Sequence, residues 1–161
     1  TDKDIRDKLD GKIMGIDPGA GLMQASEKAM QSYGLGDAGY ELISSSGAGM
    51  TAALSRAVKK KEWIVVTGWS PHWKFAKWDL RYIDDPQGVL GGRESASCIA
   101  RQGFYQDVPY EVFEFLTRYF IPADDLEAIM YEARQTSYED AADKYIKENP
   151  QRINYWVTGE F

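Results

Sequence analysis

Trp63-Ile-Val-Val-Thr-Gly-Trp69-Ser-Pro-His72-Trp73-Lys-Phe-Ala-Lys-Trp78 carries four of the five tryptophans of this 161-residue chain. Its first part is an apolar run with β-branched residues, the pattern of a buried strand starting at Trp63. Gly68 breaks that strand and Trp69 follows at once. In an open α/β sheet the carboxyl ends of the strands border the crevice where ligands sit. An indole there is aimed at the crevice, and indole is the strongest cation–π surface among the side chains. The stretch predicts a site for a methylated ammonium group or another flat or cationic small molecule.

Upstream, strand and helix signals alternate. Lys12-Ile-Met-Gly-Ile-Asp17 is a short apolar run ending in Pro18-Gly19-Ala20-Gly21, a turn that should open a helix over residues 20–33, with Gly34 as its stop. Tyr40-Glu-Leu-Ile-Ser44 is a second strand, and Ser45-Ser46-Gly47 leads into a second helix over 48–60. Lys59-Lys60-Lys61 ends that helix, where the dipole favours cations. Strand, helix, strand, helix, strand implies a parallel sheet with right-handed crossovers. Downstream, Leu80-Arg-Tyr-Ile83 reads as a short strand closed by the turn Asp84-Asp85-Pro86-Gln87-Gly88, and Glu94 to Arg101 as a weaker one. After Gly103 the composition becomes rich in Glu, Ala, Tyr and Phe. Helices are expected near 108–119, 123–133, 137–147 and 149–157, with Pro109 and Pro122 early in two of them and Ser137-Tyr-Glu-Asp140 as a capping-box-like start.

A chain of this length makes one domain with a real core. Hydrophobic residues are 43% and charged residues 27%, which argues against disorder. The net charge of −6 leaves no basic stripe for nucleic acid. Cys98 is single, so no internal disulfide can form. No apolar run reaches the length of a membrane span, and Thr1-Asp2-Lys3-Asp4 shows no signal peptide. No metal or cofactor motif stands out.

Two constellations carry chemistry. At Asp17-Pro18-Gly19-Ala20-Gly21-Leu22-Met23 a strand gives way to a helix, where backbone N–H groups are unpaired and the dipole favours an anion. The lysine and hydroxyl of a P-loop do not follow the last glycine, and the turn alone is equally an ordinary βα connection. At Thr67-Gly68-Trp69-Ser70-Pro71-His72-Trp73 the loop leaves a parallel sheet on the same edge as the first. Amides for a carboxylate and an indole for a cation then suit a zwitterion. Trp63, Trp73 and Trp78 read as packing residues, with Trp73, Ala76 and Lys77 on a helix covering the sheet. His72, the single histidine, is a structural residue or a donor to a carboxylate. A small hydrolase using Cys98 or a serine with His72 is the enzymatic alternative. Cys98 falls within Ser95-Ala-Ser-Cys-Ile-Ala100, a strand in which the thiol would be buried and unreactive.

Four segments together resemble the substrate-binding domain of ABC importers for glycine betaine and related compatible solutes, the OpuAC-type family. They are Gly15-Ile-Asp-Pro-Gly-Ala-Gly-Leu-Met23, Ser45-Ser-Gly-Ala-Gly-Met-Thr-Ala53, Val66-Thr-Gly-Trp-Ser-Pro-His-Trp73 and Leu80-Arg-Tyr-Ile-Asp-Asp-Pro86. The likeness continues through Arg101-Gln-Gly103 and the helical tail. It implies a three-layer α/β lobe of a type II periplasmic-binding-protein fold, with a mostly parallel sheet flanked by helices and a helical C-terminal segment. Residues 1–10 would be a connecting segment with a helix over Asp4–Leu9, 11–103 the ligand-binding lobe, and 104–161 helices packing on that lobe or on an absent partner lobe. The resemblance also implies a non-enzymatic, extracytoplasmic receptor that hands a quaternary ammonium solute to an ABC permease. Trp69 would be a wall of the cation box, Gly21 and Leu22 would supply amides to the carboxylate, and His72 lies within the second motif. Such proteins have two lobes, and the second is expected before Thr1. One lobe alone would bind weakly or not at all, and its exposed apolar surface could support a homodimer.

Overall fold

The computed structural model describes residues 3–92 and 97–161. Lys12–Met14 (β1), Glu41–Ile43 (β2) and Val65–Val66 (β3) form a parallel sheet in the order β2-β1-β3. Lys3–Lys8 (α1) precedes β1, Gly21–Ser32 (α2) joins β1 to β2, and Gly47–Lys60 (α3) joins β2 to β3. The chain steps from β1 to one side for β2, then back past β1 to β3. Right-handed crossovers therefore place α2 and α3 on opposite faces of the sheet, which is the three-layer arrangement expected. Trp73–Lys77 (α4), Phe104–Asp107 (α5), Tyr110–Arg118 (α6), Ala123–Ala133 (α7), Tyr138–Glu148 (α8) and Pro150–Thr158 (α9) complete the described elements.

Two compact units result: Thr1–Trp69 with Arg81–Arg93, and Ser70–Leu80 with Glu94–Phe161. In the first, Ile16, Met23 and Met50 form the buried centre, with Met14, Leu22, Leu42 and Val66 packed against it. Gly15 is needed there because a Cβ would stand 2.6 Å from Met23 Sδ and 3.0 Å from the Ile43 carbonyl oxygen. α2 ends as the sequence predicts: Gly34 takes φ +61°, and the amides of Gly34 and Leu35 return to the carbonyls of Gln31 and Met30. Tyr33 reaches from the end of α2 to Asp85 and accepts from the amide of Gln87, pinning the 84–88 turn.

In the second unit α4 packs on α7, α7 on α8, and α6 on α9. Trp156 of α9 is 5% exposed and sits among Phe115, Tyr119 and Tyr145, with ring centroids 6.2, 4.8 and 6.4 Å away. Asp125 of α7 accepts from Tyr145 and from Arg152, joining α7, α8 and α9. Ser137 Oγ accepts from the Asp140 amide at 3.0 Å, the helix start read from its sequence.

Several expectations are corrected. The strand at Trp63 starts only at Val65, and Trp63 is 55% exposed with Lys8 Nζ 4.7 Å from its ring centroid. Residues 80–83 form no strand: Tyr82 and Ile83 are exposed, with no sheet partner among the described residues. Of the weak strand 94–101, Glu94, Ser95 and Ala96 lie outside the described residues, while residues 97–101 are exposed and without strand pairing. Cys98 is exposed, contrary to the buried thiol expected. The short α5 had no sequence signal.

Candidate functional site

The C-terminal edge of the sheet is where its loops offer unpaired groups. The first helical hydrogen bond of α2 runs from the Gln24 amide to the Ala20 carbonyl at 3.1 Å, so the amides of Gly21, Leu22 and Met23 come before it. Ala20, the residue before the helix, has no side-chain cap to give them. A Cβ at Gly21 or at Gly19 would meet nothing within 4 Å, so the approach to this turn is open. α3 differs: Ser46 Oγ accepts from the Gly49 amide at 3.0 Å and so caps one amide of its own helix start. Of the two helix starts on this edge, only that of α2 is without such a cap. Its amides and dipole suit a carboxylate.

β1 and β3 are adjacent and parallel, with Met14 opposite Val66. The ladder runs one bond further, the Thr67 amide donating to the Met14 carbonyl at 2.8 Å. The loop after β3 therefore emerges beside the turn that opens α2. Trp69 lies on it and is 39% exposed. Gly21, Leu22 and Trp69 thus belong to one unit and to one edge of one sheet.

Trp73 and Trp78 pack within the second unit. Arg134 lies 4.2 Å from the Trp73 ring centroid, and Lys77 lies 4.7 Å from that of Trp78. Trp73 and Trp78 also touch one another at 5.6 Å. Their faces are occupied by internal cations, which agrees with a packing role.

His72 belongs to the second unit. It is 8% exposed and starts α4, its Nδ1 accepting from the Lys74 amide at 3.1 Å. That bond fixes the tautomer with the proton on Nε2. Burial, with Lys74 and Arg134 nearby, lowers its pKa to about 4 against the pull of Glu127, so the ring is neutral at physiological pH. Glu127 of α7 is 7% exposed, and its Oε1 accepts from Ser70 Oγ at 2.7 Å and from the His72 amide at 3.1 Å. Lys74 is 1% exposed, and burial lowers its pKa to about 8 despite Glu127. Sequence reading found neither Glu127 nor Lys74. Fifty-seven residues separate Ser70 from Glu127, and an acidic residue in an amphipathic helix gives no sign of facing inward. Among the described residues no cluster of histidine, cysteine and carboxylates could hold a metal, and no helix is long and apolar enough to cross a membrane.

An open parallel sheet between two layers of helices, with a bare helix start beside an indole on its carboxyl edge, is the architecture of one lobe of a type II periplasmic-binding protein. The family model for the substrate-binding domain of ABC-type glycine betaine transport systems matches residues 1–148, and the chain belongs to that family. It is 41% identical over 158 residues to a glycine betaine/carnitine transport binding protein, GbuC, of Listeria monocytogenes, covering 98% of this chain and 52% of that protein. A lactococcal OpuAC in a closed form complexed with glycine betaine is similar at 39% identity with a TM-score of 0.77, over 92% of this chain and 58% of that one. A choline-binding protein of an ABC transporter, complexed with choline, is 29% identical with a TM-score of 0.65, over 96% of this chain and 55% of that one. The chain thus spans about half the length of the relatives it matches.

Proposed function

We propose that this chain is the α/β lobe of a solute receptor that serves an ABC importer of glycine betaine or a related quaternary ammonium solute. The observation that supports the reading is the pairing of β1 with β3, because it brings the uncapped start of α2 and the Trp69 loop to one edge. On this reading the amides of Gly21 and Leu22 hold the carboxylate and Trp69 is a wall of the cation box. Residues 11–103 are the ligand-binding lobe, and the helices of 104–161 support it or a second lobe, with a permease as the partner outside the cytoplasm. A homodimer through surface left open by the second lobe belongs to the same proposal. The activity is binding and transfer, without covalent chemistry.

Choline is the second reading, favoured by the choline-binding relative; it keeps the cation and drops the carboxylate. Carnitine is a third, on the name of the Listeria relative. A desolvated cation–π contact is worth about 2 kcal/mol, so one ring and a set of amides give weak binding. Titration of the 161-residue chain with glycine betaine, followed by NMR, is expected to show fast exchange and sub-millimolar affinity at best, with shifts at the Gly21 and Leu22 amides and the Trp69 indole. Trp69→Ala should abolish the shifts. An unmoved spectrum at these three positions would sink the proposal.

A further inference from the structure

We infer that the Thr67 hydroxyl is a further donor to the carboxylate of the bound solute and a determinant of carboxylate over alcohol; the inference rests on the receptor reading above. Thr67 is 7% exposed, and among the described residues its Oγ1 is a buried side-chain oxygen with no hydrogen-bond partner. Buried hydroxyls are nearly always paired, so an orphan calls for a group that completes it. Its position says which group. The β1–β3 ladder puts Met14 opposite Val66 and continues through the Thr67 amide, so Gly15 and Thr67 are neighbours whose side-chain positions face the same side of the sheet. At Gly15 that side is covered by the first turn of α2, since a Cβ there would strike Met23 Sδ at 2.6 Å. The orphan hydroxyl thus lies on the sheet face covered by the turn whose amides, Gly21 to Met23, precede the first helical bond. Several donors with no acceptor between them call for a ligand rich in lone pairs. A carboxylate supplies these and an alcohol supplies fewer.

The test uses the full chain, with Thr67→Val, which keeps the shape and deletes the hydroxyl, and Thr67→Ser, which keeps the hydroxyl. Glycine betaine and choline are titrated into each, followed by NMR, with urea unfolding of each unliganded protein alongside. Thr67→Val should weaken glycine betaine about tenfold, the size of one charge-assisted hydrogen bond, while choline changes less than about threefold and Thr67→Ser tracks the parent. The urea midpoint of Thr67→Val should stay level or rise, because an unsatisfied hydroxyl is removed. Unchanged glycine betaine affinity in Thr67→Val overturns the inference, a buried water then completing the hydroxyl, and leaves the receptor reading standing. A collapsed urea midpoint overturns it too, by revealing a protein partner for the hydroxyl. If glycine betaine moves neither Gly21 nor Leu22 in the parent, the receptor reading falls and this inference falls with it.

Discussion

Gly21 is the residue at which backbone and ligand would come closest. It needs no left-handed conformation, and a Cβ there meets no protein atom within 4 Å. Its lack of a side chain therefore serves the space in front of the helix rather than the fold. Gly21→Ala should leave the thermal midpoint within about 2 °C of the parent, since the residue opens α2 without a positive φ and the added Cβ meets no protein atom. The same change should weaken glycine betaine severalfold and leave choline unaffected, as read by parallel NMR titrations. Thermal destabilisation with equal loss of both ligands would show that the residue is structural. His72 invites a different measurement. Its folded pKa of about 4 lies below its ordinary value, so the folded state binds fewer protons between these two values. Stability linked to His72 is then complete above pH 6.5 and is lost as the pH falls toward 4. Urea midpoints should drop over that window, and His72→Gln should flatten that limb of the profile.

At the scale of elements, most of the helices were legible because each carried its own punctuation. Gly34 stops α2, Ser46 and Ser137 cap α3 and α8, and prolines sit at the starts of α6, α7 and α9. Strands were harder. The apolar run at Trp63 was read as beginning two residues early, because Trp63 is covered by Lys8 rather than by a sheet neighbour. Residues 80–83 carry β-type side chains and yet form no strand pairing among the described residues, since side-chain type describes a face and not the strand that must lie beside it. The carboxyl edge with its turn and its indole was readable because both lie within single continuous motifs. The link between α7 and the Ser70–His72 segment was not, as it joins residues far apart in the chain. That link is testable. Glu127→Ala removes the acceptor for Ser70 Oγ and the His72 amide and should cost about 2–3 kcal/mol in urea unfolding. Glu127→Gln retains an acceptor oxygen and should recover much of that loss. Equal stability of all three proteins would show that the two bonds add nothing.

For the molecule as a whole, its membership of the glycine betaine substrate-binding family and its span of about half of the relatives' lengths set the scale of what it can do. The sequence resemblance already named the family and the three-layer α/β lobe. What it could not convey is how much of its aromatic wealth the chain uses internally. Trp63, Trp73 and Trp78 carry cations of their own, and Trp156 is enclosed by Phe115, Tyr119 and Tyr145. Counting tryptophans in a sequence therefore overstates the surface offered to a ligand. The exposed Cys98 matters at this scale as well. Easy labelling of its thiol now follows from accessibility alone and no longer separates a receptor from a hydrolase.

The serine at the start of α3 has an arithmetic consequence. Two helices begin along the same border of the sheet, and both dipoles would attract an anion, but at the start of α3 the Ser46 oxygen already occupies the Gly49 amide. On the proposed reading a solute at this border meets the uncapped start of α2 alone, and titration is expected to saturate at one equivalent per chain.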